Sequence, residues 1–322
     1  MNSFKLQDIS LYRNTLMGIA IIWIVLYHFG INFPILGRLI GSGFVGVDIF
    51  IFLSGFGLFY SLSKGGFQWG KYIHKRVIRI FPAYFIVGIF LSVFCYNDNF
   101  LEYLWKCSTL GFWTNGNYYD WFIPSLLALY VLYPILYFSF LQKEDTRSQI
   151  YLIILCLFLS YLCVIFFSFI DNWHFLLIYR IPIFIFGSLV AYYIKRNKTN
   201  SYFLYPALIG IILFTILIFI NHSDIRYYYF SLTFLTPLII VLFISFCKKV
   251  SIANRCFAII GGCTLEIYLV HLIFLKYLRV NDIPLVTNYH NLSTILLCIV
   301  SLFLGYTLNK IINVTKSKLS IQ

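Results

Sequence analysis

Ten stretches of about 20 mainly apolar residues follow one another along this chain, separated mostly by short gaps. An α-helix needs about 20 apolar residues to cross the hydrocarbon core of a bilayer. Only 11% of the 322 residues are charged, whereas a soluble domain carries about 25%. The pattern therefore predicts an all-α fold, a polytopic transmembrane helical bundle in a lipid bilayer, with about ten spans at residues 14–33, 43–63, 79–96, 121–141, 149–169, 175–194, 203–221, 227–247, 256–277 and 292–312.

Basic residues are distributed unevenly between the two sides of such a bundle. If the N-terminus lies inside, 18 of the 24 Lys and Arg residues fall in cytoplasmic segments. Membrane proteins concentrate basic residues there, so both termini are predicted to be cytoplasmic. The same distribution accounts for the net charge of +13 without a nucleic-acid partner. Because no soluble segment or linker is visible, residues 1–322 are predicted to form a single transmembrane domain.

Two ionisable residues lie at matching depths in the first two apolar stretches. His28 lies about five residues before the outer end of the first stretch, and Asp48 about five residues after the outer start of the second. Both are expected roughly 7 Å below the outer edge of the hydrocarbon core. A carboxylate bonded to one ring nitrogen fixes the tautomer and strengthens the other nitrogen as a base. This pattern predicts a catalytic base with its orienting partner; a purely structural pair is the alternative.

Basic residues also cluster at the inner edge of the third apolar stretch, at Lys75, Arg76 and Arg79. Arg76 and Arg79 are three residues apart and would share one face of a helix. Because guanidinium groups bind phosphate in bidentate fashion, the cluster predicts a site for a cytosolic donor that carries several phosphates. Simple positive-inside anchoring is the alternative.

Further charged residues lie inside later apolar stretches. The sixth stretch is interrupted by Arg180 and Pro182, and the ninth by Glu266 and His271, with Tyr268 between them. A carboxylate without a partner is costly inside a bilayer, so Glu266 is expected to pair with Arg180 or with another buried cation. These residues are candidates for substrate binding or for structural bracing.

Aromatic residues collect in the outer stretch 97–120 and just after it. Interfacial anchoring is the first interpretation of such residues, and a surface that stacks sugar rings is the second. They are Trp105, Trp113, Tyr118, Tyr119 and Trp121.

Several catalytic signatures are missing from the sequence. We find no G-x-x-x-x-G-K-[ST], no G-x-S-x-G, no H-E-x-x-H and no Cys/His cluster with metal-ligand spacing. Nucleotide hydrolysis, serine-hydrolase chemistry and zinc catalysis are therefore not expected, and no metal is predicted.

Taken together, these segments resemble the acyltransferase-3 family of integral membrane acyltransferases. The resemblance covers most of the chain in order, and its motifs are specific in combination. It is carried by Gly18–His28, Gly46–Asp48 with Phe52–Phe56, Lys75–Tyr84, Trp121–Pro124 with Tyr133-Pro134, Arg180–Pro182 with Gly187, and Leu265–His271.

The resemblance implies a ten-span fold and the transfer of an acyl group, usually acetyl, from cytosolic acyl-CoA. The acceptor it implies is a hydroxyl of a surface polysaccharide or lipid-linked carbohydrate. His28 corresponds to the family's functional histidine, and Lys75, Arg76 and Arg79 to its cytosolic basic motif. We expect His28 to act as the base and acetyl-CoA to be the donor; an acyl-histidine relay is the alternative mechanism. A bacterial cytoplasmic (inner) membrane is the expected location, and a homo-oligomer is left open.

One position departs from the family pattern. The family has a basic residue eleven positions before the histidine, and here that position is Met17. Arg13 lies four residues earlier and shares a helix face with Met17. We hypothesise that Arg13 supplies the missing charge one turn nearer the cytosol and takes part in donor binding.

A different class of function fits the buried charges as well. A transporter or flippase for an envelope glycan or an acyl group could use them as a proton relay. Such transporters are often built from internal repeats, and none is visible here. A membrane scaffold or sensor would explain the spans but not the buried charges.

Overall fold

A computed structural model of the chain describes residues 4–30, 37–142, 146–165, 172–197, 225–281 and 290–318, with 204–205, 208–209, 211–212 and 216. Over these residues the regular secondary structure is helical, and no strand occurs. The all-α class predicted from the sequence is confirmed. The α-helices are α1 Gln7–Leu11, α2 Arg13–Phe29, α3 Gly37–Gly41, α4 Val45–Leu62, α5 Trp69–Leu91, α6 Phe100–Cys107, α7 Leu110–Thr114, α8 Phe122–Leu136, α9 Thr146–Ile165, α10 Asn172–Ile178, α11 Ile181–Lys195, α12 Ile225–Thr233, α13 Thr236–Lys249, α14 Ser251–Gly261, α15 Thr264–Val280 and α16 His290–Lys318. Short π-helical segments, Ser92–Tyr96 and Tyr137–Leu141, continue α5 and α8.

Five helical segments among the described residues are long and apolar enough to cross a membrane. Helices α14 and α15 would together make a sixth, bent by 73° at the break between them. The predicted ten spans and the cytoplasmic side of the termini stay predictions, and most of the seventh predicted span, 203–221, lies outside the described residues. The five segments are Val45–Leu62, Trp69–Tyr96, Phe122–Leu141, Leu176–Lys195 and Leu292–Lys318.

Helix α5 begins ten residues earlier than the third apolar stretch predicted. Its first three turns are amphipathic: Tyr72 and Ile80 are buried, whereas Lys71 and Lys75 are exposed. A search for continuous apolar residues ends at these lysines, although the helix continues and one of its faces is buried in the protein. The basic cluster therefore lies within α5 rather than before it.

Both breaks in the apolar stretches are seen, but one is displaced from its predicted position. The sixth stretch breaks between α10 and α11 at Arg180, with Pro182 in the first turn of α11, as predicted. In the ninth stretch, Glu266 and His271 lie within the continuous helix α15, and the break falls before them, at Gly262 and Cys263. Glu266 is therefore in the first turn of α15, and its position in the middle of a span stays a prediction.

Contacts divide the chain into two compact units, each assembled from separated segments. The first comprises residues 1–16, 47–67 and 125–254, and the second comprises residues 17–46, 68–124 and 255–322. The single domain expected over residues 1–322 stays a prediction.

In the first unit, helices α4 and α11 approach each other at two glycines. A Cβ added to Gly55 would lie 2.0 Å from the carbonyl oxygen of Phe184, and one added to Gly187 would lie 2.1 Å from that of Phe52. The Ser188 hydroxyl donates to the Gly55 carbonyl at 2.9 Å. Small residues permit such close approach, which membrane helices use because lipid provides little hydrophobic drive for their association.

We expect Gly55→Ala to destabilise the protein by about 1–3 kcal/mol, the usual cost of overpacking. The new methyl group would meet backbone rather than a side chain that can move aside. Gly70→Ala is the matched control, because a Cβ at Gly70 has no neighbour within 4 Å. Thermal unfolding in detergent measures both; equal midpoints for the two variants would contradict the packing argument.

In the second unit, α15 packs against both α5 and α16, and α5 also contacts α16. Helices α15 and α16 approach each other closely at Gly305, where an added Cβ would lie 2.6 Å from the Cα of Ile267. This three-helix group places the first turns of α15 beside the basic half of α5.

Candidate active site

His28 contacts a second histidine within the second unit. Its Nδ1 lies 3.0 Å from Nε2 of His271, and the two rings are nearly parallel, with an interplanar angle of 11°. His28 is exposed near the C-terminal end of α2, whereas His271 is buried in α15. The Thr294 hydroxyl bonds the Phe29 carbonyl, and the Phe29 ring meets His271 edge-on. These contacts fix the end of α2 against α15, through His271, and against α16, through Thr294.

The hydrogen-bond partners determine the tautomers when both rings are neutral. Nδ1 of His271 contacts the carbonyl oxygen of Tyr268. A carbonyl oxygen only accepts, so this Nδ1 carries the hydrogen, and Nε2 of His271 is left as an acceptor. His28 therefore donates from Nδ1, and its own Nε2 keeps a lone pair. The arrangement leaves a proton-accepting nitrogen on the exposed ring.

Asp48 forms an ion pair with Arg180 inside the first unit. Nε of Arg180 lies 2.5 Å from Oδ1 of Asp48, and the two side chains are 2% and 1% exposed. Arg180 also donates to the Leu176 carbonyl at 2.8 Å and stacks over the Tyr179 ring. The break between α10 and α11 thus places the guanidinium in the core of its unit, where it balances the Asp48 charge.

The structure does not bring His28 and Asp48 together within either unit. Asp48 belongs to the first unit and His28 to the second. The partner found beside His28 is His271, which the sequence marked as a site residue without naming this contact. The role of Asp48 in orienting His28 stays a prediction.

Glu266 is paired with Arg79. The Arg79 guanidinium donates two hydrogen bonds to the Glu266 carboxylate, from Nη1 to Oε1 at 2.5 Å and from Nη2 to Oε2 at 3.2 Å. Glu266 is buried in the first turn of α15, whereas 44% of the Arg79 side chain is exposed. The sequence had left Arg180 open as a partner, but Arg180 is taken by Asp48.

The other members of the basic set have separate surroundings. Arg76 lies over the Tyr72 ring at 4.0 Å and donates to the Tyr72 carbonyl at 3.2 Å, while Lys75 is exposed. Arg13 is in the first turn of α2, where its guanidinium lies 3.1 Å from the position of a Cβ on Gly57. Lys75 and part of Arg79 face outward, so they are open to a ligand.

Sequence reasoning missed Asp120, which links the first turn of α8 to α15 within the second unit. Its Oδ1 accepts from the backbone NH of Ile123 at 2.9 Å, capping α8, and from the Tyr268 hydroxyl at 3.3 Å. Burial raises the pKa of Asp120 to about 6. The helix start was visible in the sequence Asp120-Trp121-Phe122-Ile123. The partner Tyr268 was not, because it lies 148 residues further on.

A second missed cluster lies in the outer stretch. Lys106 and Asp98 pair at 2.5 Å with side chains 7% and 5% exposed, and Tyr119 donates to the other Asp98 oxygen at 2.9 Å. These charges lay in a segment interpreted as a gap, so no burial was expected for them. The pair ties α6 to the chain that leaves α5.

The aromatic residues of the outer stretch are divided between core and surface. Tyr119 is buried, whereas Trp105 and Trp113 are exposed, and the Trp121 ring packs against Phe122. Both interpretations, interfacial anchoring and sugar stacking, stay open. Trp105 lies beside a shallow cavity of about 570 Å³ lined by Leu101, Glu102, Leu104, Trp105, Ser108, Leu110 and Asn115.

No group of three or more His, Cys, Asp or Glu side chains in the described ranges could hold a metal ion.

One protein-family model, Acyl_transf_3, described as an acyltransferase domain, matches residues 14–310. Comparisons with curated proteins and with solved structures found no match. The matched region contains both histidines and the buried ion pairs. It also contains Lys75, Arg76 and Arg79, which we call the basic face of α5.

Proposed function

This chain belongs to the acyltransferase-3 family and is a membrane acyltransferase, and on that premise we propose an acyl-CoA-dependent O-acyltransferase. The proposed donor is cytosolic acetyl-CoA, and the proposed acceptor is a hydroxyl of a surface or lipid-linked carbohydrate. The proposal rests on one observation, the chain of hydrogen bonds that joins the Tyr268 carbonyl, His271 and His28. This chain leaves Nε2 of the exposed His28 ring as a proton acceptor. The proposed location is a bacterial cytoplasmic membrane.

In the proposed step, Nε2 of His28 takes the proton of the acceptor hydroxyl as the oxygen attacks the thioester carbonyl. The new carbon–oxygen bond forms, the carbon–sulfur bond breaks, and the thiolate leaves with the bonding electron pair. The imidazolium then returns its proton to the thiolate, so His28 is regenerated. General-base catalysis of this kind typically contributes about 10²–10⁴-fold.

His271 is a positioning residue in this mechanism. By accepting from Nδ1 of His28, it fixes both the tautomer and the orientation of that ring. The carboxylate of Asp48 was the candidate for the same task, and it is neutralised by Arg180 within its own unit. A neutral orienting partner differs from a carboxylate because it does not favour a positive charge on His28.

The donor's phosphates are proposed to bind the basic face of α5, through Lys75, Arg76 and Arg79. Lys75 is exposed and the Arg79 guanidinium is partly exposed, which supports contact with a soluble donor. Arg13 is proposed to add charge on the same donor side. Guanidinium groups suit the phosphates of CoA because their donors match two phosphate oxygens at once.

Mass spectrometry of surface glycans tests the proposed function directly. Glycans from cells with the gene should carry acetyl esters that disappear when the gene is deleted and return when it is restored. Unchanged glycan masses in the deletion strain would contradict an acetyltransferase that acts on this acceptor class. Movement of glycan across the membrane without any acylated product would favour the transporter alternative.

A further inference from the structure

A shallow cavity lies between the short helices α6 and α7 of the second unit. It has a volume of about 570 Å³, and its lining combines one exposed tryptophan, three leucines and three hydrogen-bonding side chains. Those polar side chains belong to Glu102, Ser108 and Asn115. Pockets that bind small molecules have this composition, in which a few polar groups lie among apolar ones. The lining therefore indicates a ligand with an apolar face and hydrogen-bonding edges.

The indole ring of Trp105 is held in place from two sides. The Ser108 hydroxyl donates to the Trp105 carbonyl at 2.7 Å, and Nε1 of Trp105 donates to Oδ1 of Asn115 at 3.4 Å. A Cβ added to Gly111 would lie 2.9 Å from this Nε1, so glycine leaves the room that the ring occupies. Trp105 nevertheless remains 37% exposed. A ring that is already fixed loses little conformational entropy when a ligand binds to its open face.

Glu102 and Asn115 each have hydrogen-bonding capacity left. Oε2 of Glu102 accepts from the Asn99 backbone NH at 3.0 Å in the capping box that begins α6. Asn115 uses its Oδ1 to accept from Trp105 and from the backbone NH of Asn117. Within the described part of the chain, Oε1 of Glu102 and Nδ2 of Asn115 make no hydrogen bond. The cavity thus presents one acceptor and one donor beside the ring.

A sugar ring matches these features better than a lipid chain does. The C–H groups on one face of a sugar stack on the negative face of an aromatic ring. The hydroxyl groups at its edge both donate and accept, so they can bond Oε1 of Glu102 and Nδ2 of Asn115 together. A lipid chain offers no partner to the Glu102 carboxylate, and a carboxylate without a partner is costly in an apolar environment.

Helix α6 is connected to the helix that carries His271. Lys106, which follows Trp105 in α6, lies over the Tyr96 ring at 4.2 Å, and Lys276 of α15 lies 5.9 Å from the centre of the same ring. Lys276 follows His271 by five residues, about 7.5 Å along the helix axis. The cavity and the histidine pair are therefore joined within one unit, and a chain of several sugars could contact both.

We propose that the cavity between α6 and α7 binds one sugar ring of the acceptor, with Trp105 as the stacking surface and Glu102 and Asn115 as hydrogen-bond partners of its hydroxyls. This inference rests on the proposed function and deepens it, because it locates a carbohydrate subsite apart from His28. The charge pattern of the sequence predicts that residues 97–120 lie on the outer side, where a surface carbohydrate is found.

The test measures acetyl transfer by the full chain in nanodiscs, with unacetylated glycan purified from the deletion strain as the acceptor. Trp105→Ala should raise the KM for this glycan about tenfold, because the stacking surface is lost. The kcat and the KM for acetyl-CoA should change less than about twofold, since the variant removes only binding of the acceptor. Trp105→Phe keeps an aromatic ring and should recover most of the affinity.

Trp113→Ala is the matched control. Trp113 is an exposed tryptophan of α7 that does not line the cavity. Its replacement should leave the KM for glycan within about twofold of the wild-type value, as is usual for a surface substitution. If both tryptophans only anchor the protein in the membrane interface, the two variants will behave alike.

Glu102→Gln tests the hydrogen-bonding edge of the cavity. The amide oxygen can still accept from the Asn99 NH, so the start of α6 is preserved. Loss of the charge should raise the KM for glycan about fivefold, because a hydrogen bond to a charged group is stronger than one to a neutral group. The KM for acetyl-CoA should stay unchanged. Thermal unfolding in the same nanodiscs establishes that each variant is folded.

Three results would overturn the inference. The first is an equal KM for glycan in Trp105→Ala and Trp113→Ala. The second is a rise in the KM for acetyl-CoA as large as that for glycan, which would show a general distortion of the site. The third is a wild-type KM for glycan in Trp105→Ala together with a lower unfolding temperature, which would assign the cavity to a lipid chain. In each case, transfer by wild type would leave the proposed function standing. Absence of transfer by wild type would remove both.

Discussion

The His28→Ala variant is expected to lose acyl transfer by about 10²–10⁴-fold while remaining folded. The imidazole lies at the exposed end of α2, and its Nε2 is the nitrogen of the histidine pair whose lone pair is not used in the hydrogen bond between the two rings. Its removal deletes the proton acceptor but leaves the buried contacts of Phe29 and Thr294 in place. Transfer of labelled acetyl from acetyl-CoA to a glycan fraction, measured in membranes at equal protein level, gives the rate.

His74→Ala is the matched control, because it removes an exposed imidazole from α5, and the rate of transfer should remain near that of wild type. Normal transfer by His28→Ala would contradict the base mechanism. Trapping of acetyl on His28 with wild-type enzyme would instead favour the acyl-histidine alternative.

Replacement of His271 separates the orienting role from the base itself. His271→Ala should lower kcat and leave the KM for acetyl-CoA nearly unchanged, since His28 remains but its Nδ1 loses an acceptor. His271→Gln offers an amide oxygen to the same hydrogen and should recover part of the rate. The pH profile of kcat should shift in His271→Ala, because the hydrogen bond to Nδ1 tunes the basicity of Nε2. A profile identical to that of wild type would indicate that His271 is merely structural.

The helices could be predicted from the sequence where apolar residues occupy all of their faces. Val45–Leu62, Phe122–Leu141 and Leu176–Lys195 match the predicted stretches within two residues at each end. The start of α5 could not be predicted this way, because charged residues on its exposed face interrupt the apolar residues of its buried face. The bend at Gly262 and Cys263 was also missed, since small residues do not lower the apolar character of a run.

The partners of the charged residues could not be predicted, although most of the residues themselves were. His28 and His271 are 243 residues apart, Arg79 and Glu266 are 187 apart, and Arg180 and Asp48 are 132 apart. A hydropathy pattern gives the depth of a residue in the bilayer but not the neighbouring helix or the direction of the side chain. Matching depth therefore favoured Asp48 as the partner of His28, which stays a prediction, and it gave no indication of the contact with His271.

The Arg180→Met variant is expected to lose about 3–5 kcal/mol of stability, the usual cost of leaving a buried charge unpaired. Arg180 and Asp48 are 2% and 1% exposed, so water cannot replace the missing partner. Asp48→Asn should cost a similar amount because it leaves the guanidinium uncompensated. The free energy of unfolding in mixed micelles, measured by titration with denaturant, gives both values.

The double variant Asp48→Asn with Arg180→Met distinguishes loss of the pair from loss of packing. With no charge left to desolvate, it should be more stable than either single variant, so the two effects will not add.

The pair of Asp8 with Lys248 provides the comparison, since its side chains are 14% and 20% exposed. Asp8→Asn should cost about 1 kcal/mol or less, because water can solvate the partner that remains. Equal losses at Asp8 and Asp48, or additive losses in the double variant, would show that the Asp48–Arg180 pair does not act as a coupled buried ion pair. If the pair is coupled, its retention in the core despite the cost of desolvation implies that Arg180 fixes the break between α10 and α11 to α4.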